Sequence, residues 1–249
     1  MLDYGLDLSD VDHDLVLPDL VTEGEVLDAL VTAHGDWSVD TPAAGWTIAH
    51  QIAHLAAADA NALIAIRDPA AFETVPKQAD LVAAEGAATP RAALLQRWRT
   101  GRTELAAALR EVPLDREFPW FGSDLTAKLM VPLRLMETWA HGQDVFDALG
   151  VAHPPTGGLR HIAALGVVGR ELSFYAAQLP MPAEPIHVEL AGPDGRLWTW
   201  GPAAAQQRVL GSALDFCLRV THRRSRAETD LTAFGADADT WLDIARVFL

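Results

Sequence analysis

The segment 45-GWTIAHQIAHLAAADANALIAIRD-68 decides how this chain is read. Thr47 is a natural helix N-cap, and everything after it to about Arg67 favours helix. A helix that is apolar on most of its circumference belongs inside a bundle, not on the surface of a sheet. A second segment of the same character, 123-SDLTAKLMVPLRLMETWAHGQDVFDALG-150, ends on Gly150, the usual residue just past a helix end, and carries a possible bend at Pro132.

Working outward, residues 19–34 and 90–112 complete a set of four long helices, the latter opening on Thr89 and Pro90. A fifth helix is predicted over 157–179, before the prolines of 179-LPMPAEP-185 interrupt the pattern. Beyond them, 186-IHVELAGPDGRLWTWG-201 alternates on both sides of a turn and predicts a β-hairpin. The remainder is read as a helix over 203–224, a short strand within 229–235 and a terminal helix over 238–249. The expected organisation is an N-terminal extension (1–17), a helical bundle (18–180) and a small α+β domain (181–249).

Composition narrows the function classes. The 249 residues carry 34 acidic and 19 basic side chains, a net charge of −15 that repels a phosphate backbone, so nucleic acid is not an expected partner. The acidic start has no cationic leader, and no apolar run reaches membrane-spanning length without a charge, so no membrane partner is expected. The single cysteine, Cys217, permits neither an internal disulfide nor a multi-cysteine zinc cluster and suits a cytoplasmic location. In its apolar setting it is read as a buried small hydrophobe.

Residues four apart on a helix sit about 40° apart in rotation and roughly 6 Å along the axis, so both can reach one ion. Glu137 and His141 have this spacing, and so do His50 and His54. Either pair alone is weak, because most such histidines are surface groups or hydrogen-bonded core groups. Within strongly apolar helices, however, an unpartnered carboxylate or imidazole carries a desolvation cost that a shared cation removes. The other histidines (His13, His34, His153, His161, His187 and His222) have no partner at ligand spacing and are read as non-ligands. Trp46 and Trp139 are read as packing aromatics. The basic run 219-RVTHRRSR-226 is read as a contact to an acidic surface, with a carboxylate-bearing ligand as the alternative.

The elements "GWTIAHQIAHLAAAD" and "RLMETWAHGQDVFDALG" together resemble the DinB-like helical-bundle superfamily. The closer likeness is to its actinobacterial branch, which includes mycothiol-dependent maleylpyruvate isomerase. The resemblance implies a mainly α fold, an up-down four-helix bundle with an extra helix, followed by a small C-terminal α+β domain. It implies that His54, Glu137 and His141 bind a divalent metal. His50 then becomes a group behind the ligands or lining the pocket. Asp144 is expected to receive the second N–H of an imidazole, and Arg134 to pair with Glu137 or meet an anionic substrate group.

Two imidazoles and a carboxylate form an open catalytic set, most simply for Zn2+, with nickel, iron and manganese also compatible. The resemblance implies mycothiol as cosubstrate, held as thiolate for S-transfer to an electrophile or for thiol-assisted isomerisation. Two alternatives stay open at this point. One is a non-catalytic metal- or small-ligand-binding protein, and the other a 2-His-1-carboxylate iron enzyme.

Overall fold

The computed structural model describes residue 9 and residues 11–247. In chain order the helices α1 (His13–Ala33), α2 (Ile48–Arg67), α3 (Pro69–Phe72), α4 (Ala79–Ala87) and α5 (Arg91–Glu111) are followed by strands β1 (Glu117–Trp120) and β2 (Ser123–Thr126) and helix α6 (Ala127–Leu149). Then come α7 (Leu159–Val168), α8 (Arg170–Ala176), β3 (Ile186–Ala191), β4 (Leu197–Trp200), β5 (Gln207–Ser212), α9 (Ala213–Val220), β6 (Thr232–Phe234) and α10 (Ala236–Ile244). The fold is mainly helical, with a four-helix bundle and a small sheet.

Two compact units emerge, one spanning His13–His153 and the other holding the residues from Pro154 on. This boundary differs from the one drawn at 180. The predicted fifth helix is interrupted at Gly169, and its two pieces, α7 and α8, pack on α9 and α10 within the second unit. Of the expected extension over 1–17, residues 1–8 and 10 lie outside the described residues. From His13 the chain is already helical, and Pro18 lies inside α1 although the sequence predicts the helix to start after it, at about 19.

In the first unit, α1, α2, α5 and α6 form the bundle, with neighbours α1–α6, α6–α2, α2–α5 and α5–α1. The consecutive helices α1 and α2 therefore face each other across it. Leu27, Val31, Ile48, Ile52, Leu55, Leu94, Trp98 and Val145 meet in its core. Each such side chain contributes about 1.5–3 kcal/mol by leaving water. The α1–α2 connection is tied at both ends, by Trp37 Nε1 donating to Val31 O (3.0 Å) and by Thr41 N donating to Trp46 O (2.8 Å). Gly45, at φ 79°, supplies the left-handed turn that launches α2.

Two segments depart from the sequence reading here. α3 and α4, the latter packed on α2, lie between α2 and α5 where the sequence predicts no helix, and residues 123–126 form a hairpin with β1 instead of starting the fourth helix. α6 itself runs unbroken through Pro132 and ends on Gly150 in the left-handed conformation, as predicted.

The second unit carries a four-stranded sheet in the order β4-β3-β5-β6, with β3 antiparallel to β4, parallel to β5, and β5 antiparallel to β6. The β3–β4 hairpin is the one predicted. Residues 207–212, expected to be helical, form β5. Their composition is neutral, and pairing on both sides with β3 and β6 overrides it. Among the described residues, no helix is long and apolar enough to cross a membrane.

Candidate metal centre

α2 and α6 are neighbours in the bundle, and their facing stripes bring His54, Glu137 and His141 together. Glu137 Oε2 lies 3.1 Å from His54 Nε2 and 3.5 Å from His141 Nε2. One ligand atom from each of the three residues lies within 4.8 Å of the other two. Donors about 2.1 Å from a common zinc at tetrahedral angles stand about 3.4 Å apart, so the cluster already has nearly the spacing of a coordination shell. The three side chains are between 16% and 28% exposed, enough for an ion and a small ligand to arrive.

The orientation of His141 follows from a chain of hydrogen bonds. The amide nitrogen of Gln51 donates to Thr41 Oγ1 at 3.0 Å and to Asp144 Oδ2 at 3.3 Å, and a carboxylate can only accept. This turns Gln51 Oε1 toward His141 Nδ1, at 2.6 Å, so Nδ1 carries a proton. In its neutral form the ring presents its Nε2 lone pair toward the Glu137 carboxylate. Two electron-rich atoms face each other, an arrangement that a cation or a proton between them resolves. The donor set therefore fits a divalent metal with nitrogen and oxygen preference.

Burial pushes the Glu137 carboxyl upward, but its interactions with His141 and His54, together with the nearby Arg134 charge, hold it well below the usual carboxylate range. It is an anion in this site.

The remaining predicted residues take definite places. His50 Nδ1 accepts from Thr47 N at 3.2 Å and meets Thr47 Oγ1 at 2.8 Å, a capping-box arrangement at the start of α2. Asp144 is buried and stands one bond behind the imidazole, with Gln51 taking the position expected for it. Arg134 donates to Asp59 Oδ1 through Nη2 (3.0 Å) and Nε (3.3 Å), not to Glu137, and this pair is buried. Trp139 is a packing aromatic, stacked on His153.

Sequence reasoning missed Gln51 and the role of Trp46. The Trp46 ring stacks on His141, with centroids 5.9 Å apart, and lies 5.4 Å from His54. Its Nε1 donates to Asp80 Oδ1 on α4 at 3.1 Å, which fixes it as a roof over both imidazoles. The signal for Gln51 was present, a glutamine three residues before His54 in an apolar helix, but its partner is 90 residues away in sequence. Cys217 is buried, with Sγ 3.4 Å from Leu159 O, and burial pushes its thiol far up.

Comparison with known proteins agrees with the bundle. Residues 20–146 match the family described as mycothiol maleylpyruvate isomerase N-terminal domain, and residues 182–233 match the one described as wyosine base formation. Two uncharacterized proteins of Mycobacterium tuberculosis, from strains CDC 1551 / Oshkosh and ATCC 25618 / H37Rv, are each 49% identical over 241 residues, covering 92% of this chain and 93% of theirs. The crystal structure of the mycothiol-dependent maleylpyruvate isomerase superposes with a TM-score of 0.63 at 18% identity, over 90% of this chain and 93% of that one. A histidine-to-alanine mutant of that enzyme superposes equally well, at 17% identity. With its bundle matched over most of its length, this chain belongs to the mycothiol maleylpyruvate isomerase N-terminal domain family.

Proposed function

We propose that this protein is a metal-dependent, thiol-using enzyme of the mycothiol-dependent isomerase and S-transferase type, with His54, Glu137 and His141 as metal ligands. The observation that carries the reading is the convergence of those three donors, with the His141 tautomer fixed by Gln51 so that Nε2 faces the cluster. The structural likeness to a mycothiol-dependent enzyme supports the choice of thiol.

The residues divide the work. His54 and His141 offer neutral nitrogen donors, and Glu137 offers a negative oxygen that offsets the charge of a divalent ion, most simply Zn2+. A bound ion supplies a Lewis-acidic position that lowers a thiol pKa from its free value of about 8.5, giving thiolate at neutral pH. Trp46 shields one side of the imidazoles from water and limits the direction from which a thiol can approach. The partners are a small-molecule thiol and an electrophilic or isomerisable substrate. A cytoplasmic location suits a reaction that consumes free thiol.

The test begins with elemental analysis of the untagged protein and of His54→Ala and Glu137→Gln. The reading expects about one zinc per chain in the wild type and strong loss in both variants. Incubation with mycothiol and monochlorobimane should give adduct only with metal present. Unchanged metal content in both variants would remove the ligand assignment, and metal without thiol turnover would leave a binding protein. Oxygen uptake after anaerobic ferrous loading would instead indicate an iron enzyme.

A further inference from the structure

The contact between α2 and α6 carries three polar pairs in succession. Gln51 meets His141, His54 meets Glu137, and Asp59 meets Arg134, so the partners advance along α2 as they retreat along α6. The first two pairs hold the candidate ligands and the glutamine that orients one of them. The third comes next along both helices and contributes no donor to the cluster. Both of its members are buried, Arg134 at 2% exposure and Asp59 at 4%.

A guanidinium in that position is the wrong charge beside a cation site. Arg134 stands three residues before Glu137 on α6, the spacing of neighbours on one helix face, and its charge is among those that hold the Glu137 carboxyl low. The field that favours the Glu137 anion repels a metal ion seated on it. At an effective dielectric of about 20, a unit charge about 10 Å from a divalent ion alters its affinity by well over tenfold. Guanidinium groups do not deprotonate in proteins, so the charge is cancelled by a partner or not at all.

Asp59 is that partner. Arg134 donates to its Oδ1 from both Nη2 (3.0 Å) and Nε (3.3 Å). Burial raises the Asp59 carboxyl above its ordinary 3.8, and the charges of Arg134, Arg102 and His54 work against that rise. Arg102 is itself engaged with Asp28 at 2.7 Å, so Asp59 is the acid that serves Arg134. The Asp59 anion is favoured further by any cation held at the three donors.

We propose that Asp59 is a positioning residue of the metal centre, acting through Arg134: by cancelling the guanidinium charge it sets the affinity of His54, Glu137 and His141 for a divalent cation. This rests on the proposed ligand assignment. With the buried pair neutral, a divalent ion on two imidazoles and one carboxylate keeps a single net positive charge, which one thiolate neutralises.

Competition with a chromophoric chelator measures zinc affinity in the full-length wild type, Asp59→Asn, Arg134→Leu and Arg134→Leu/Asp59→Leu, with circular dichroism to follow folding. Asp59→Asn keeps the side-chain shape and an acceptor oxygen but leaves Arg134 uncompensated, so affinity should fall at least about tenfold. Removing both charges should recover most of that loss, a rescue that damage to the fold does not produce. Arg134→Leu, which leaves the carboxylate alone, should bind zinc more tightly than wild type, and it decides the matter if Asp59→Asn does not fold. Undiminished affinity in Asp59→Asn, a double variant no tighter than Asp59→Asn, or unchanged or weaker binding by Arg134→Leu would overturn the inference while leaving the ligand assignment in place. Absence of zinc binding by the wild type would overturn both.

Discussion

Gln51 on α2 and His141 on α6 are joined by a 2.6 Å hydrogen bond that fixes which imidazole nitrogen faces Glu137. The bond crosses between the two helices that carry the candidate ligands. Gln51 is fully buried, so its position is set by packing as well as by its partners.

Gln51→Leu should therefore weaken zinc affinity by about 10–100-fold while leaving the helical content intact. The variant frees the ring to rotate and to change tautomer. Competition with a chromophoric chelator, alongside circular dichroism, measures both quantities. Wild-type affinity in a folded Gln51→Leu protein would show that the bond does not orient the ligand.

The buried Arg134–Asp59 pair makes a prediction about stability. Arg134→Leu alone leaves a buried carboxylate without its partner and should cost about 3–5 kcal/mol. Replacing both residues by leucine removes the uncompensated charge, so the double variant should be more stable than Arg134→Leu. Urea denaturation of the four proteins closes the cycle. Additive losses would mean that the two charges do not interact.

Asp28 sets an acid limit on the bundle. Burial pushes its carboxyl upward, but hydrogen bonds from Arg99, Thr32 and Arg102 outweigh this and hold it below its ordinary value of 3.8. Arg99 engages it through both Nε (2.8 Å) and Nη2 (2.5 Å). The unfolded chain therefore takes up the proton at higher pH than the folded one, so the contribution is complete above the ordinary value and is lost as pH falls through the folded value. Melting temperature should fall on acidification below about pH 4, and Asp28→Asn should be less stable at neutral pH with a shallower acid dependence. An unchanged acid slope in the variant would assign the effect to other carboxylates.

Cys217 should resist thiol reagents in the native protein, because it is buried and burial disfavours its thiolate. Ellman's reagent should report no free thiol before denaturant is added and one per chain afterwards. Rapid labelling of the native chain would contradict the packing around α9.

The sequence made the long helices legible because their apolar periodicity, the Thr47 start and the Gly150 stop act locally. Glu137 and His141 were legible for the same reason, since one helix sets their spacing. Choosing His54 over His50 needed the family resemblance, as both satisfy the same spacing. The structure separates them, because His50 is engaged with Thr47. What stayed hidden depends on partners far apart in the chain: Gln51 with His141, Asp59 with Arg134, and β5 between two strands from elsewhere. Local pattern carries no record of such neighbours.

The three donor side chains and the glutamine behind them all project from α2 and α6, and none comes from a loop. The hairpin at 117–126 and the α3–α4 connection can then be rebuilt without displacing an ion seated between those helices. On the proposed metal reading, grafting either periphery from a relative should leave the metal stoichiometry untouched.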